Sequence, residues 1–210
     1  MRSPSESPTV VTLGLLAVVF ACQQVVGLVA PQRAPFALSN PLFAQPWTIV
    51  TSVYAHAGVG HLLANAAALA LAGLLLERVT TSARFHAFFV SVGALSGVAQ
   101  VAAVGVLGSL VPGLPGHVSV LGASGAVFGL FGYLLGGNRV TETVVGGFNL
   151  SGRTQLAVAA VLAAAVTVAT ANPGVALIAH FTGLLLGFLA GRTHLLRPED
   201  GATVDDAPAA

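Results

Sequence analysis

Charge is what this chain has least of. Of its 210 residues only 7% are Asp, Glu, Lys or Arg, where a soluble domain carries about 25%. Lysine is missing altogether, so all eight basic residues are Arg, and they are scattered. No basic cluster exists to bind phosphate, and a formal net charge of +1 argues against nucleic acid as a partner. The one cysteine, Cys22, lies inside an apolar run; it can form no internal disulfide and says nothing about redox compartment. So few charges cannot build a water-facing surface. What is present instead is 55% hydrophobic residues and a mean hydropathy of +0.89, which makes lipid the solvent for most of the chain.

A helix that crosses the hydrocarbon core needs roughly 20 mostly apolar residues. Candidate spans are 10–30, 58–77, 85–108, 121–137, 155–171 and 175–193. The last three are tight or short, which is admissible where a helix end lies in a polar cavity inside the protein. The run from Val10 to Ala30 is long for the apolar core of a signal peptide and is read as a retained helix. Turn signals separate the spans: Pro112 and Pro115 in one loop, Asn172-Pro173-Gly174 in another. The segment 31–55 is broken by Pro31, Pro35, Pro41 and Pro46 yet carries Phe36, Leu38, Leu42, Phe43 and Trp47. It is too apolar for a free loop and is expected to lie in the membrane interface. Residues 1–9 and 194–210 are expected to be cytoplasmic tails, the second polar, acidic and disordered. The predicted fold is an all-α integral membrane protein, a six-helix bundle with a membrane-embedded loop after the first helix.

Arginine orients this arrangement. With six spans, Arg2, Arg78, Arg84, Arg139, Arg153, Arg192 and Arg197 share one face, and only Arg33 falls on the other. The positive-inside rule then puts both termini in the cytoplasm of a cell whose plasma membrane holds the protein. An odd number of spans would spoil this agreement.

Polar side chains at membrane depth are costly and mark function. His56, His61 and Asn65 stand at the start of the second span, Gln100 in the third, Ser124 at the start of the fourth and His180 in the sixth. In the orientation above, His61, Asn65, Ser124 and His180 all fall in the outer half of the bilayer. Ser124 lies in Gly122-Ala123-Ser124-Gly125. On its own such a run of small residues is common where membrane helices pack. A serine at a helix N-terminus, however, has unpaired backbone N–H groups and the positive dipole end beside it, which suit an oxyanion. Gly125 and Gly129 in the fourth span, and Gly183 and Gly187 in the sixth, form two GxxxG faces that could bring His180 to Ser124. A neutral histidine there can act as general base. No acidic residue lies at this depth, so a dyad is expected rather than a triad. His180 could equally be a buried histidine donating to a neighbouring carbonyl. His61 and Asn65, at i and i+4, share a helix face and can donate toward an oxyanion or toward another helix. His56 is read as a brace for the preceding loop, and Gln100 as a packing or loop-anchoring amide.

Together these stretches resemble the rhomboid family of intramembrane serine proteases. The resemblance rests on Pro46-Trp47 through Thr51, on His56-Ala-Gly-Val-Gly-His61-Leu-Leu-Ala-Asn65, on Gly122-Ala-Ser124-Gly125, and on Ala179-His180-Phe-Thr-Gly183-Leu-Leu-Leu-Gly187. It covers roughly residues 10–193 and suggests the minimal prokaryotic form. It implies Ser124 as nucleophile, His180 as general base, and His61, Asn65 and the Ser124 backbone N–H as the oxyanion site. It further implies Phe128 as an aromatic packed on the base, and Glu77 as a tie at the cytoplasmic end of the second span. The implied substrates are membrane proteins with transmembrane helices, cleaved without metal or cofactor at a site opening to the extracytoplasmic side. One departure is Thr48 after Trp47, where the family often has Arg; it bears on the rigidity of the loop more than on catalysis. The competing readings are a proteolytically inactive relative that binds transmembrane clients, and a small transporter or channel, which would need polar residues in both halves of the bilayer. His56 and His61 are i and i+5 with no Glu between them, so the HExxH geometry of a zinc protease is missing.

Overall fold

A computed structural model describes residues 6–31, 34–137 and 176–198, with the isolated positions 154, 157, 160, 161 and 163 between the last two stretches. Helix α1, Pro8–Val26, starts two residues before the expected span because its sequence caps it there. Ser7 Oγ accepts from Val10 N–H at 3.2 Å, and Pro8 occupies the first turn, where its missing N–H costs nothing. The same hydroxyl donates to Glu77 Oε2 at 2.7 Å, and Thr9 N–H donates to that oxygen at 3.2 Å. Glu77 thus puts a carboxylate at the positive end of α1.

The other helices among the described residues are α2 (Thr48–Tyr54), α3 (Val59–Leu76, continued by a 3-10 turn at Glu77–Val79), α4 (Ser82–Leu110), α5 (Ser124–Gly136) and α6 (Leu177–Arg192). Among the described residues three stretches, Pro8–Val26, Val59–Val79 and Ser82–Leu110, are long and apolar enough to cross a membrane. The expected span at 155–171 lies largely outside the described residues. With 13 residues, α5 is only about 20 Å long at 1.5 Å per residue, short of a hydrocarbon core of about 30 Å. It is packed among α3, α4 and α6, so its N-terminus opens into a cavity inside the bundle. Residues 121–123, expected in this helix, stay outside it: Gly122 has φ +133°, a conformation that glycine tolerates and a helix excludes.

The segment 31–55 is tied down at several points. Its two-residue strand β1 (Leu38–Ser39) pairs antiparallel with β2 (Ser119–Val120), just before α5. Asn40 Nδ2 donates to the Val101 carbonyl at 3.3 Å, and Trp47 Nε1 to that of Pro35 at 3.1 Å. Thr48 is buried and its hydroxyl donates to Gln45 O at 2.6 Å, closing the turn that starts α2. Phe43 stays 81% exposed, which suits a lipid-facing loop tip.

Helices α5 and α6 pack backbone against backbone. Gly125, Gly129, Gly132 and Gly136 form one stripe of α5; Gly183 and Gly187 of α6 meet the backbone of Gly125 and Gly129, and the backbone of Leu184 and Phe188 meets Gly132 and Gly136. A β-carbon on Gly183 would land on the Gly125 carbonyl oxygen, and one on Gly187 on that of Gly129. Bare backbone on both sides lets van der Waals contact hold two helices that lipid gives no hydrophobic reason to join. Gly187→Val is therefore expected to destabilise the bundle by about 2–3 kcal/mol or more, since the atoms nearest the new β-carbon are the Gly129 backbone, which has no flexible end to give way. Gly14→Ala, where nothing lies within 4 Å, is the control. Thermal unfolding in detergent should show a lowered midpoint for the first and an unchanged one for the second; equal midpoints would remove the seam from the account of stability.

The turn at His194–Arg197 folds back on the bundle. Leu196 is 2% exposed within the core cluster, and its N–H donates to Tyr133 Oη at 3.2 Å. The Arg84 guanidinium donates to the carbonyls of Leu195 and Arg197. A tail that begins at His194 is thus held for its first residues by the buried Leu196 and by the Arg84 contacts.

Candidate active site

Ser124 is the first residue of α5, and the backbone turn before it is held from outside: Gly122 N–H donates to Ser52 O of α2 at 2.8 Å. His180 lies in the first turns of α6, and the glycine seam carries the two helices close enough for His180 Nε2 to stand 2.9 Å from Ser124 Oγ. Phe128, one turn further along α5, stacks on the imidazole with ring centroids 4.2 Å apart and planes 19° from parallel. The other ring nitrogen, Nδ1, is buried and has no hydrogen-bond partner among the described residues. An imidazole that accepts at Nε2 must carry its proton on Nδ1, so this arrangement suits a ring poised to take the serine proton.

Both groups line a cavity of about 960 Å³, which also receives His61, Asn65 and Gln100. Asn65 Nδ2 donates to His61 O at 3.0 Å, one turn back. That uses one amide hydrogen and leaves the second for the cavity. Ala57 N–H points at His61 Nδ1 from 3.4 Å, which favours the tautomer with its proton on Nε2. The Nε2 edge of that ring packs on Gly122, where a β-carbon would meet Cε1 at 2.6 Å and Nε2 at 3.0 Å. Gly122 is therefore required twice, by its positive φ and by the imidazole that covers it. Among the described residues no group of three or more His, Cys, Asp or Glu side chains could hold a metal ion.

His56 stays out of this arrangement. Its backbone exchanges both hydrogen bonds with the buried Gln23 side chain of α1, N–H to Oε1 at 2.8 Å and Nε2 to O at 3.3 Å. Its ring meets His61 edge-on at 5.1 Å. Burial first, and then the charge of His61, push the His56 imidazole down to about 4, so it is neutral at pH 7.

The structure thus brings Ser124, His180, Phe128, His61 and Asn65 to one cavity, Gly122 beneath His61, and Gly125, Gly183 and Gly187 to the helix seam. Gly132, Gly136 and Gly191 extend that seam; the four-three-four spacing of Gly125, Gly129, Gly132 and Gly136 along α5 is a readable sequence signal. The partners of Gln23 and Gln100 leave no such signal, because a lone glutamine in an apolar helix can turn to any neighbour.

A family model described as the Rhomboid domain matches residues 44–197. The chain is 34% identical over 143 residues to YdcA of Bacillus subtilis (strain 168), whose name gives it provisionally as a rhomboid protease; the match covers 68% of this chain and 64% of that protein. RHOMBOID-like protein 4 of Arabidopsis thaliana is 34% identical over 156 residues, covering 74% of this chain and 36% of the relative. For RHOMBOID-like protein 5 of the same plant the values are 32% over 155 residues, 74% and 46%. The chain therefore spans between about a third and two thirds of the length of the curated relatives it matches.

Proposed function

Because this chain belongs to the rhomboid family and is an integral membrane protein, we propose that it is an intramembrane serine protease that hydrolyses peptide bonds in or beside transmembrane helices of other membrane proteins. The observation that carries this reading is the 2.9 Å contact between His180 Nε2 and Ser124 Oγ inside a cavity with further donors. In this mechanism Ser124 Oγ attacks the scissile carbonyl carbon while His180 Nε2 takes its proton. The oxyanion that forms is met by the Ser124 backbone N–H, His61 Nε2–H and the free hydrogen of Asn65 Nδ2. His180 then returns the proton to the leaving amine, and an acyl ester remains on Ser124. A water molecule, deprotonated by the same imidazole, releases the acid product and restores the serine.

A substrate helix hides its amides in internal hydrogen bonds, so it must unwind locally before attack. A water-accessible cavity below the outer membrane surface supplies both the solvation for that unwinding and the hydrolytic water. Six spans with both termini in the cytoplasm complete this topology, and the arginine distribution supports it.

The test is cleavage of an artificial transmembrane substrate by the purified protein in liposomes. Cleavage is expected, and Asn65→Ala is expected to slow it by roughly ten- to a thousandfold, in line with other losses of an oxyanion donor. An unchanged rate in the variant would leave Asn65 a packing residue. A folded protein that binds such helices but cleaves none across a range of sequences would favour the alternative, an inactive client-binding relative.

A further inference from the structure

Among the described residues, the first turn of α6 has no side-chain cap from its own N-cap position. A helix N-terminus leaves four backbone N–H groups without intrahelical partners, and each needs an acceptor. The residue that should satisfy them is Ala176, at the N-cap, whose methyl offers no acceptor. The acceptor comes from another helix. Gln100 Oε1 of α4 stands 3.0 Å from Ile178 N and 3.3 Å from Ala179 N, and the side chain is 8% exposed. One carbonyl oxygen therefore takes two of the free N–H groups, with its negative end toward the positive end of the α6 dipole.

The two residues it holds immediately precede His180. Nothing among the described residues bonds His180 Nδ1. In a Ser-His-Asp triad a carboxylate on that nitrogen aims the ring. Here the ring's direction follows from where the backbone of α6 puts its Cα and from the face of Phe128. We propose that Gln100 is a positioning residue for the reaction: as a cap supplied across the bundle, it fixes the first turn of α6 and so aims His180 Nε2 at Ser124 Oγ. This rests on the reading of Ser124 and His180 as nucleophile and base. Gln100 acts through backbone and touches neither reacting atom.

The geometry also names its own rescue. A serine at position 176 would stand at the N-cap of α6, where its hydroxyl can accept from the same N–H groups of residues 178 and 179 that Gln100 now serves. Gln100→Met keeps the length and apolar bulk of the side chain and removes the acceptor. It is expected to lower kcat by about ten- to a hundredfold, the scale of a small misplacement of a catalytic group, with KM within about twofold of the parent. Gln100→Met combined with Ala176→Ser should recover most of that loss. Parent, both variants and Ser124→Ala are to be assayed together in liposomes, with the unfolding midpoint of each recorded and rates given per folded protein.

A Gln100→Met enzyme with the parent's kcat would overturn the proposal. So would a deficit that the second substitution leaves untouched, because Gln100 would then act by filling space or touching substrate. If Gln100→Met does not fold, Gln100→Glu keeps an acceptor oxygen at the same reach, and it must then retain at least a tenth of the parent's kcat or the capping role falls. Cleavage by Ser124→Ala at the parent rate would instead remove the nucleophile, and the positioning role with it. Loss of cleavage in Ser124→Ala beside a normal Gln100→Met would sink the positioning role alone.

Discussion

Ser124→Ala is expected to abolish cleavage of a transmembrane substrate, a fall of at least about a thousandfold. The substitution removes one oxygen and little else. Ser124 begins α5 without using its hydroxyl as a cap, since the N-cap is Ala123 and makes no side-chain bond. The helix therefore loses no cap; what goes is the single bond to His180 Nε2, a net contribution of about 1 kcal/mol, and the backbone N–H that would meet the oxyanion stays in place. Alanine is also a better helix former than serine. The variant should therefore unfold within a few degrees of the parent while being inert, which separates chemistry from stability in one measurement. Residual cleavage at the parent rate would mean that another group or a bound water performs the attack.

His180→Ala should have nearly as large an effect, read most directly by a fluorophosphonate that labels the activated serine. A serine hydroxyl is a poor nucleophile until a base takes its proton. His180 Nε2, at 2.9 Å, is the ring nitrogen bonded to that hydroxyl. His61 lies in the same cavity, but its Nε2 is the donor edge packed on Gly122, and its Nδ1 already faces Ala57 N–H. It is badly placed to substitute as base. Labelling of Ser124 should drop by about a thousandfold or more. Undiminished labelling would dissolve the pair and leave the cavity a binding site. Phe128 would lose its stacked partner in this variant, so a larger loss of stability is expected alongside than in Ser124→Ala.

The two variants bear on different kinds of knowledge. That Ser124 and His180 are unusual could be read from the chain, because a polar side chain in an apolar run stands out against the transfer free energy of its neighbours. The same additive, local property places the spans. The helices at Val59–Leu76 and Leu177–Arg192 fall close to the limits drawn from hydropathy. Boundaries moved where local capping or backbone geometry intervened, as at Ser7 before α1 and at Gly122 before α5.

Composition by itself determined the solvent of this protein, the approximate limits of its apolar helices and the short roster of polar residues that lipid would reject. All of these are sums over neighbours along the chain. Only the tertiary structure decided that a serine and a histidine 56 positions apart lie 2.9 Å from each other, that Gln100 caps a helix it does not belong to, and that His194–Arg197 packs against the bundle. Those facts depend on how closely two bare helix backbones can approach and on where a flexible side chain finds its partner. Neither quantity is written in any local window of residues.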